Sequence, residues 1–178
     1  MRVITGSARG MVLKTLEGET TRPTTEKVKE AVFSAIQFEI EGRRVLDLFA
    51  GSGQMGIEAL SRGALIATFV DQDKRAIGII KENIEKTKFT KESQIVQMDA
   101  IGFLNMNIRT YDIVFLDPPY STGLLEKSLE RVTDYVAEGG IVICEYPFKD
   151  TTPVSPEGFS EYRTYKYSKT AVTIFRKG

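Results

Sequence analysis

The chain contains no histidine among its 178 residues. That absence removes the commonest general base, the usual nucleophilic triads and most zinc chemistry. Any catalysis must run on carboxylates, backbone groups and a cofactor. There is a single cysteine, Cys144, which excludes an internal disulfide framework and a cysteine-rich metal site. Its place inside an apolar run points to core packing and not to reactivity. No apolar run exceeds strand length, so nothing reads as a membrane span. The start, Met1-Arg2-Val3-Ile4-Thr5-Gly6, lacks the apolar stretch of an export signal. The expectation is a cytoplasmic protein that uses neither membrane nor metal, with a monomer as the default state.

Net charge is also missing: 24 basic residues balance 24 acidic ones, which gives no global case for a nucleic-acid partner. The distribution says more. From Phe159 onward the cations Arg163, Lys166, Lys169, Arg176 and Lys177 face Glu161 alone, and Arg2, Arg9, Lys14, Arg22, Lys27 and Lys29 gather near the start. Both ends can form a basic surface. Charge alone allows equally a solvated hairpin and a solvated helix.

What is present is an alternation of strand and helix. Arg2–Ile4 and Met11–Lys14 flank a Gly-containing turn and predict a β-hairpin. Pro23 breaks the chain, and Thr24 or Thr25 can cap a helix carrying Val28, Ala31, Val32, Ala35 and Ile36 on one face. Core strands are expected at Val45–Ala50, Leu65–Val70, Gln94–Gln97, Tyr111–Leu116 and Ile141–Glu145. Helices are expected between them, the last from Leu124 to Ala137. Glu161–Tyr167 and Ala171–Arg176 predict a closing antiparallel hairpin. This pattern implies an α/β, Rossmann-like, mostly parallel sheet with helices on both faces. Residues 1–42 read as a hairpin-helix extension and 43–178 as the main domain.

Three features carry chemistry. Gly51-Ser52-Gly53-Gln54-Met55-Gly56 follows a strand and opens a helix, the pattern of a nucleoside-cofactor loop. Asp71 ends the second strand about twenty residues on, where a ribose acceptor belongs, with Gln72 beside it. Asp47 lies just before the loop. A carboxylate there repels a pyrophosphate and suits a cationic cofactor, which favours S-adenosylmethionine over NAD. Asp99 ends the third strand, where it can accept from an adenine amine or cap the helix that begins at Ala100. The third feature is Asp117-Pro118-Pro119-Tyr120, after an apolar strand. Two prolines stiffen this loop at the sheet edge where open α/β folds bind ligands.

Val45-Leu46-Asp47-Leu48-Phe49-Ala50-Gly51-Ser52-Gly53 with Asp117-Pro118-Pro119-Tyr120 resembles the class I S-adenosylmethionine-dependent amino-methyltransferases. Arg9-Gly10, Arg22-Pro23-Thr24-Thr25, Glu58-Ala59-Leu60-Ser61-Arg62-Gly63-Ala64 and Lys169-Thr170-Ala171-Val172-Thr173 narrow the likeness to the RsmD family of bacterial 16S rRNA guanine(966)-N2-methyltransferases. It departs from many relatives in having Asp71 where they have Glu. The resemblance implies a seven-stranded class I methyltransferase sheet in 43–178 and an RNA-contacting role for 1–42. It implies cofactor contacts from Asp47, Gly51, Ser52, Gly53, Asp71, Gln72, Asp99 and Ala100. The methyl-transfer site it implies is Asp117, Pro118, Pro119 and Tyr120, with Arg9, Arg22 and Lys169 towards RNA phosphates. The acceptor it implies is 16S rRNA, free or in an assembling small subunit. The same tetrapeptide also serves enzymes that methylate DNA bases or a protein glutamine amide. An NAD-dependent oxidoreductase and a non-catalytic RNA-binding protein are the readings outside that class.

Overall fold

The computed structural model describes residues 1–17, 23–150, 152–167 and 169–178, with Pro23, Thr24 and Thr25 described by their backbone. In chain order the elements are α1 (Pro23–Ala35), β1 (Arg44–Asp47), α2 (Gln54–Ser61), β2 (Ile66–Asp71) and α3 (Lys74–Thr87). There follow β3 (Ser93–Gln97), α4 (Ala100–Met106), β4 (Tyr111–Leu116), α5 (Leu124–Val132) and a 3-10 turn (Thr133–Tyr135). The chain closes with β5 (Val136–Pro147), β6 (Phe159–Tyr167) and β7 (Thr170–Lys177). The strands form one sheet of seven in the order β3-β2-β1-β4-β5-β7-β6. The first five pair in parallel, and β7 joins β5 and β6 antiparallel. The expected Rossmann-like sheet with a closing antiparallel hairpin is therefore the observed one. Among the described residues no helix is long and apolar enough to cross a membrane.

The central strands carry apolar side chains on both faces because both faces are covered. Along β4, Ile113 and Phe115 enter one core cluster while Val114 and Leu116 enter the other. The first cluster takes in Val45, Ile57 and Phe69 from the sheet and α2, and also Val28, Val32 and Phe33 of α1 with Ile36 just after it. The second packs Leu104 of α4 and Leu125 and Leu129 of α5 against Leu46, Val142 and Cys144. Cys144 is fully buried, and burial pushes its thiol well above the usual range.

The structure corrects four expectations. α1 begins at Pro23, so Thr24 and Thr25 lie inside its first turn and do not cap it; proline fits that first helical position because it has no N–H to leave orphaned. α5 stops at Val132, and the chain enters β5 at Val136. Gly139 and Gly140 thus sit within an irregular part of β5, where the pairing jumps from Tyr111↔Val136 to Ile113↔Ile141. A Cβ on Gly140 would meet the Asp112 carbonyl at 3.0 Å, so the bulge is glycine's work. The N-terminal hairpin is present but short: beside the Arg2↔Val12 bridge, Val3 N donates to the Met11 carbonyl at 3.0 Å, Leu13 N to the Met1 carbonyl at 2.8 Å and Gly10 N to the Val3 carbonyl at 2.8 Å, and its turn is tied to α2. Ser7 N donates to the Ser61 carbonyl at 2.8 Å and Ala8 N to Ser61 Oγ at 3.0 Å.

The fourth correction concerns the basic ends. Lys29 is 1% exposed, not a surface cation. Its Nζ stands 3.3 Å from Glu58 Oε2 and donates to the Arg2 carbonyl at 2.7 Å. Glu58, itself 0% exposed, also accepts from Ile4 N, Thr5 N and Arg62 Nε. Arg176 is likewise occupied, donating to both carboxylate oxygens of Glu39 at 2.7 and 2.8 Å. Lys177 donates to the carbonyls of Thr133 and Val136. Arg9, Lys166 and Lys169 are exposed, and Arg22 lies outside the described residues.

Candidate active site at the carboxyl edge of the sheet

The chain runs outward from β1 to β3, then crosses back to place β4 on the other side of β1. That reversal opens a crevice at the carboxyl ends of the strands, the usual ligand position in such sheets. A cleft of about 1500 Å³ lies there.

On one side of it the glycine loop turns out of β1. Gly51 has φ 55° and Gly53, the residue capping α2, has φ 80°, both left-handed. Gly56 is needed for a different reason. A Cβ there would come within 2.3 Å of the Phe69 ring, so α2 lies on the sheet only if that position is bare. Two strand-end acids hold the loop. Asp71 accepts from Gly51 N through one oxygen and from Asp73 N through the other, each at 2.8 Å. Asp47 accepts from Gly56 N at 3.1 Å. From behind, Asn83 of α3 donates to the Ser52 carbonyl at 2.9 Å. The same amide exchanges hydrogen bonds with the backbone of Lys14, accepting at 2.8 Å and donating at 2.9 Å. One buried side chain thus joins the N-terminal arm to the loop.

On the other side stands the loop after β4. Pro118 is buried while Asp117, Pro119 and Tyr120 are exposed. Ser121 takes a left-handed φ of 63°, unusual for a side-chain-bearing residue, and Gly123 follows at 67°. Thr122 Oγ1 donates to the Pro119 carbonyl at 2.7 Å and helps fix the turn. The turn after Pro119 is therefore held in shape.

Of the residues singled out from sequence, Gly51, Asp71, Gln72, Asp99, Ala100, Asp117, Pro118, Pro119 and Tyr120 line this single cleft. Asp99 caps α4 by accepting from Gly102 N at 2.8 Å, and it stays exposed. Asp47, Ser52 and Gly53 do not reach the cleft wall: they are buried in the layer beneath it. Their alternation along β1 explains this for Asp47, which shares a face with Val45 under α2. Burial is the main reason that its pKa is raised to about 7, with Asp117 and Asp71 adding and the Gly56 N–H opposing. A cationic group bound above the loop would draw it back down.

Sequence reasoning missed Glu145, Phe148 and Lys149, which also line the cleft. The rule that found the other acids would have found Glu145, since it closes the apolar run Ile141–Cys144 near the carboxyl end of β5. Burial first, then the charge of Asp117, holds its carboxyl well above the usual range. Phe148 is 44% exposed with Lys166 Nζ 5.6 Å from its ring centroid, and Tyr120 is 48% exposed. Two partly exposed aromatic rings thus share the cleft lining with several carboxylates.

The cleft suits a nucleoside carrying positive charge. It offers a left-handed glycine, Gly51, for close backbone approach, a strand-end carboxylate in Asp71, an apolar wall from Phe49 and Met98, and beneath the loop the buried carboxyl of Asp47, which a bound cation would ionise.

Comparison with known proteins agrees over the whole chain. The family model described as "Conserved hypothetical protein 95" matches residues 1–176. The chain is 40% identical over 182 residues to "Putative rRNA methyltransferase YlbH" of Bacillus subtilis, covering 99% of both proteins. It is 31% identical over 179 residues to "Ribosomal RNA small subunit methyltransferase D" of Escherichia coli K12, covering 99% of this chain and 90% of that protein. The solved structure of "Putative methyltransferase yhhF from Escherichia coli" superposes with a TM-score of 0.90 at 31% identity, covering 99% and 97% of the two chains. With the glycine loop and the Asp-Pro-Pro-Tyr loop facing one cleft, and likeness running from end to end, the chain belongs to the family of ribosomal RNA small subunit methyltransferase D.

Proposed function

We propose that the protein methylates the exocyclic N2 amine of a guanine in 16S rRNA, using S-adenosylmethionine. The observation that carries this reading is the meeting of two loops on one cleft, Gly51 and Gln54 of the glycine loop with Asp71 on one wall and Asp117–Tyr120 on the other. The family supplies the acceptor class: its curated relatives are named as rRNA methyltransferases. The guanine at position 966 follows from the family resemblance.

When bound, S-adenosylmethionine supplies an electrophilic methyl on a sulfonium. The chain's own work is to hold and aim the acceptor. A guanine amine is a poor nucleophile because its lone pair is delocalised into the ring. Asp117 and the Pro118 carbonyl each accept one amine hydrogen, which turns the lone pair towards the methyl and stabilises the positive charge arising on nitrogen. The fixed loop keeps both acceptors placed in advance. Tyr120 gives a face on which the extruded base stacks. Asp71 and Gln72 take the ribose hydroxyls, Asp99 and the Ala100 backbone face the adenine, and Asp47, Ser52 and Gly53 act from beneath by shaping and charging the loop. Residues 1–42 and the exposed Arg9 and Lys169 serve the RNA, free or within an assembling small subunit.

The test is incubation with tritiated S-adenosylmethionine and, separately, under-methylated small subunits, naked 16S rRNA, DNA and protein. Label in rRNA that digests to N2-methylguanosine is the expected result. Label in DNA or protein alone would overturn the reading.

A further inference from the structure

The Asp-Pro-Pro-Tyr loop recognises an amine, and adenine and cytosine carry amines too. Something else in the cleft must tell guanine from them. β4 and β5 run in parallel with Phe115 beside Ile143 and Leu116 beside Cys144. The next pair in that register is Asp117 beside Glu145. Phe115 and Ile143 share one core face, Leu116 and Cys144 the other, so Asp117 and Glu145 continue the first. Both line the cleft, and the two charges are close enough to raise the Glu145 carboxyl. None of the ion pairs among the described residues involves Glu145. The carboxylate is half-buried, one strand over from the amine acceptor, and no step so far uses it.

We propose that Glu145 accepts the N1 hydrogen of the target guanine and so selects guanine over other amine-bearing bases. This rests on the reading of the acceptor given above. Guanine offers two adjacent kinds of donor on one edge, the N2 amine and N1–H. With Asp117 and the Pro118 carbonyl on the amine, N1–H is the next donor along, and Glu145 is the next acceptor along the sheet edge. A bound sulfonium and the N1–H donor both favour the ionised form of Glu145 against the burial that raises it, and adenine and cytosine present at the matching ring nitrogen a lone pair that this ionised form repels. A polar site built for a donor discriminates strongly against a base lacking it, because its own buried group is then left unmatched. Glu145 thereby converts an amine-reading loop into a guanine-reading site.

The experiment pairs a change in the enzyme with a change in the base. Target RNA is made with guanine or with 2-aminopurine, which keeps the amine but has no N1 hydrogen. Each is methylated by wild type and by Glu145→Ala. For wild type, 2-aminopurine should lower kcat/KM by about tenfold to a hundredfold. For Glu145→Ala the same swap should cost less than about threefold, because the contact has already gone. Glu145→Gln should recover part of the guanine activity, since its amide oxygen still accepts. Cofactor affinity by calorimetry reports whether each variant is folded. If Glu145→Ala does not fold, the same comparison is made with Glu145→Gln, where a smaller but nonzero coupling is expected. Equal losses for wild type and variant overturn the proposal while leaving the guanine reading intact. If wild type methylates no guanine, both fall.

Discussion

Nζ of Lys29 lies 3.3 Å from Oε2 of Glu58, with both side chains sealed from solvent. Burial is the first cause that lowers the Lys29 pKa, and Glu58 works against it. Such a pair adds little over an apolar substitute, but breaking it strands a charge. Here the carboxylate also holds Ile4 N and Thr5 N. Glu58→Ala should therefore destabilise the fold by about 3–5 kcal/mol. Urea unfolding with unchanged midpoint and slope would refute that.

Asp47 predicts a pH signature. Folded, it keeps its proton to about pH 7; unfolded, the reference value is 3.8. Between those values the folded chain holds the extra proton. Stability from this group is therefore highest at low pH and falls as pH rises through the window, by about 4 kcal/mol in all. Asp47→Asn should flatten that part of the stability profile. It should also weaken cofactor binding, and in wild type affinity should drop as pH falls below about 7, because a bound cation needs Asp47 ionised. Denaturation and calorimetry across this range, on both proteins, decide the matter.

Gly56 makes a steric prediction. The 2.3 Å approach of a Cβ to Phe69 requires the ring or α2 to shift. Gly56→Ala should cost about 1–3 kcal/mol as overpacking. It should weaken cofactor binding as well, because Gly56 N anchors Asp47. A melting temperature equal to that of wild type would count against the packing role.

Asp117 and Tyr120 should separate chemistry from binding. Asp117→Ala is expected to lower kcat by about a hundredfold to a thousandfold, the range for loss of one preorganised group. Cofactor affinity should stay close to wild type. Tyr120→Ala should cost about 1–3 kcal/mol, chiefly in kcat/KM for RNA. Single-turnover methyl transfer near the wild-type rate in Asp117→Ala would remove its orienting role.

Much of this was legible because the signals were local. The apolar runs at Val45 and Ile113 marked strands buried on both faces, and Gly51, Gly53 and Gly56 marked a turn with steric demands. The carboxyl-edge rule put Asp71, Asp99 and Asp117 on one cleft. What escaped depended on distant partners. Nothing near Lys29 in sequence announces that Glu58 will bury it. Nothing near Arg176 announces Glu39. The depth of Asp47 under α2 follows from how a helix lies on the sheet, not from the loop motif. Glu145 was within reach of the same edge rule, but its meaning needed the β4–β5 register.

The Asn83 side chain ties Lys14 to the carbonyl of Ser52. The arm nearest the amino terminus and the glycine turn thus share a single amide as their common tie. Thr15 and Leu16, just beyond that tie, lie on the cleft wall itself. Moving Lys14 would therefore disturb the same amide that holds the Ser52 carbonyl, so arm and glycine loop are coupled through one side chain.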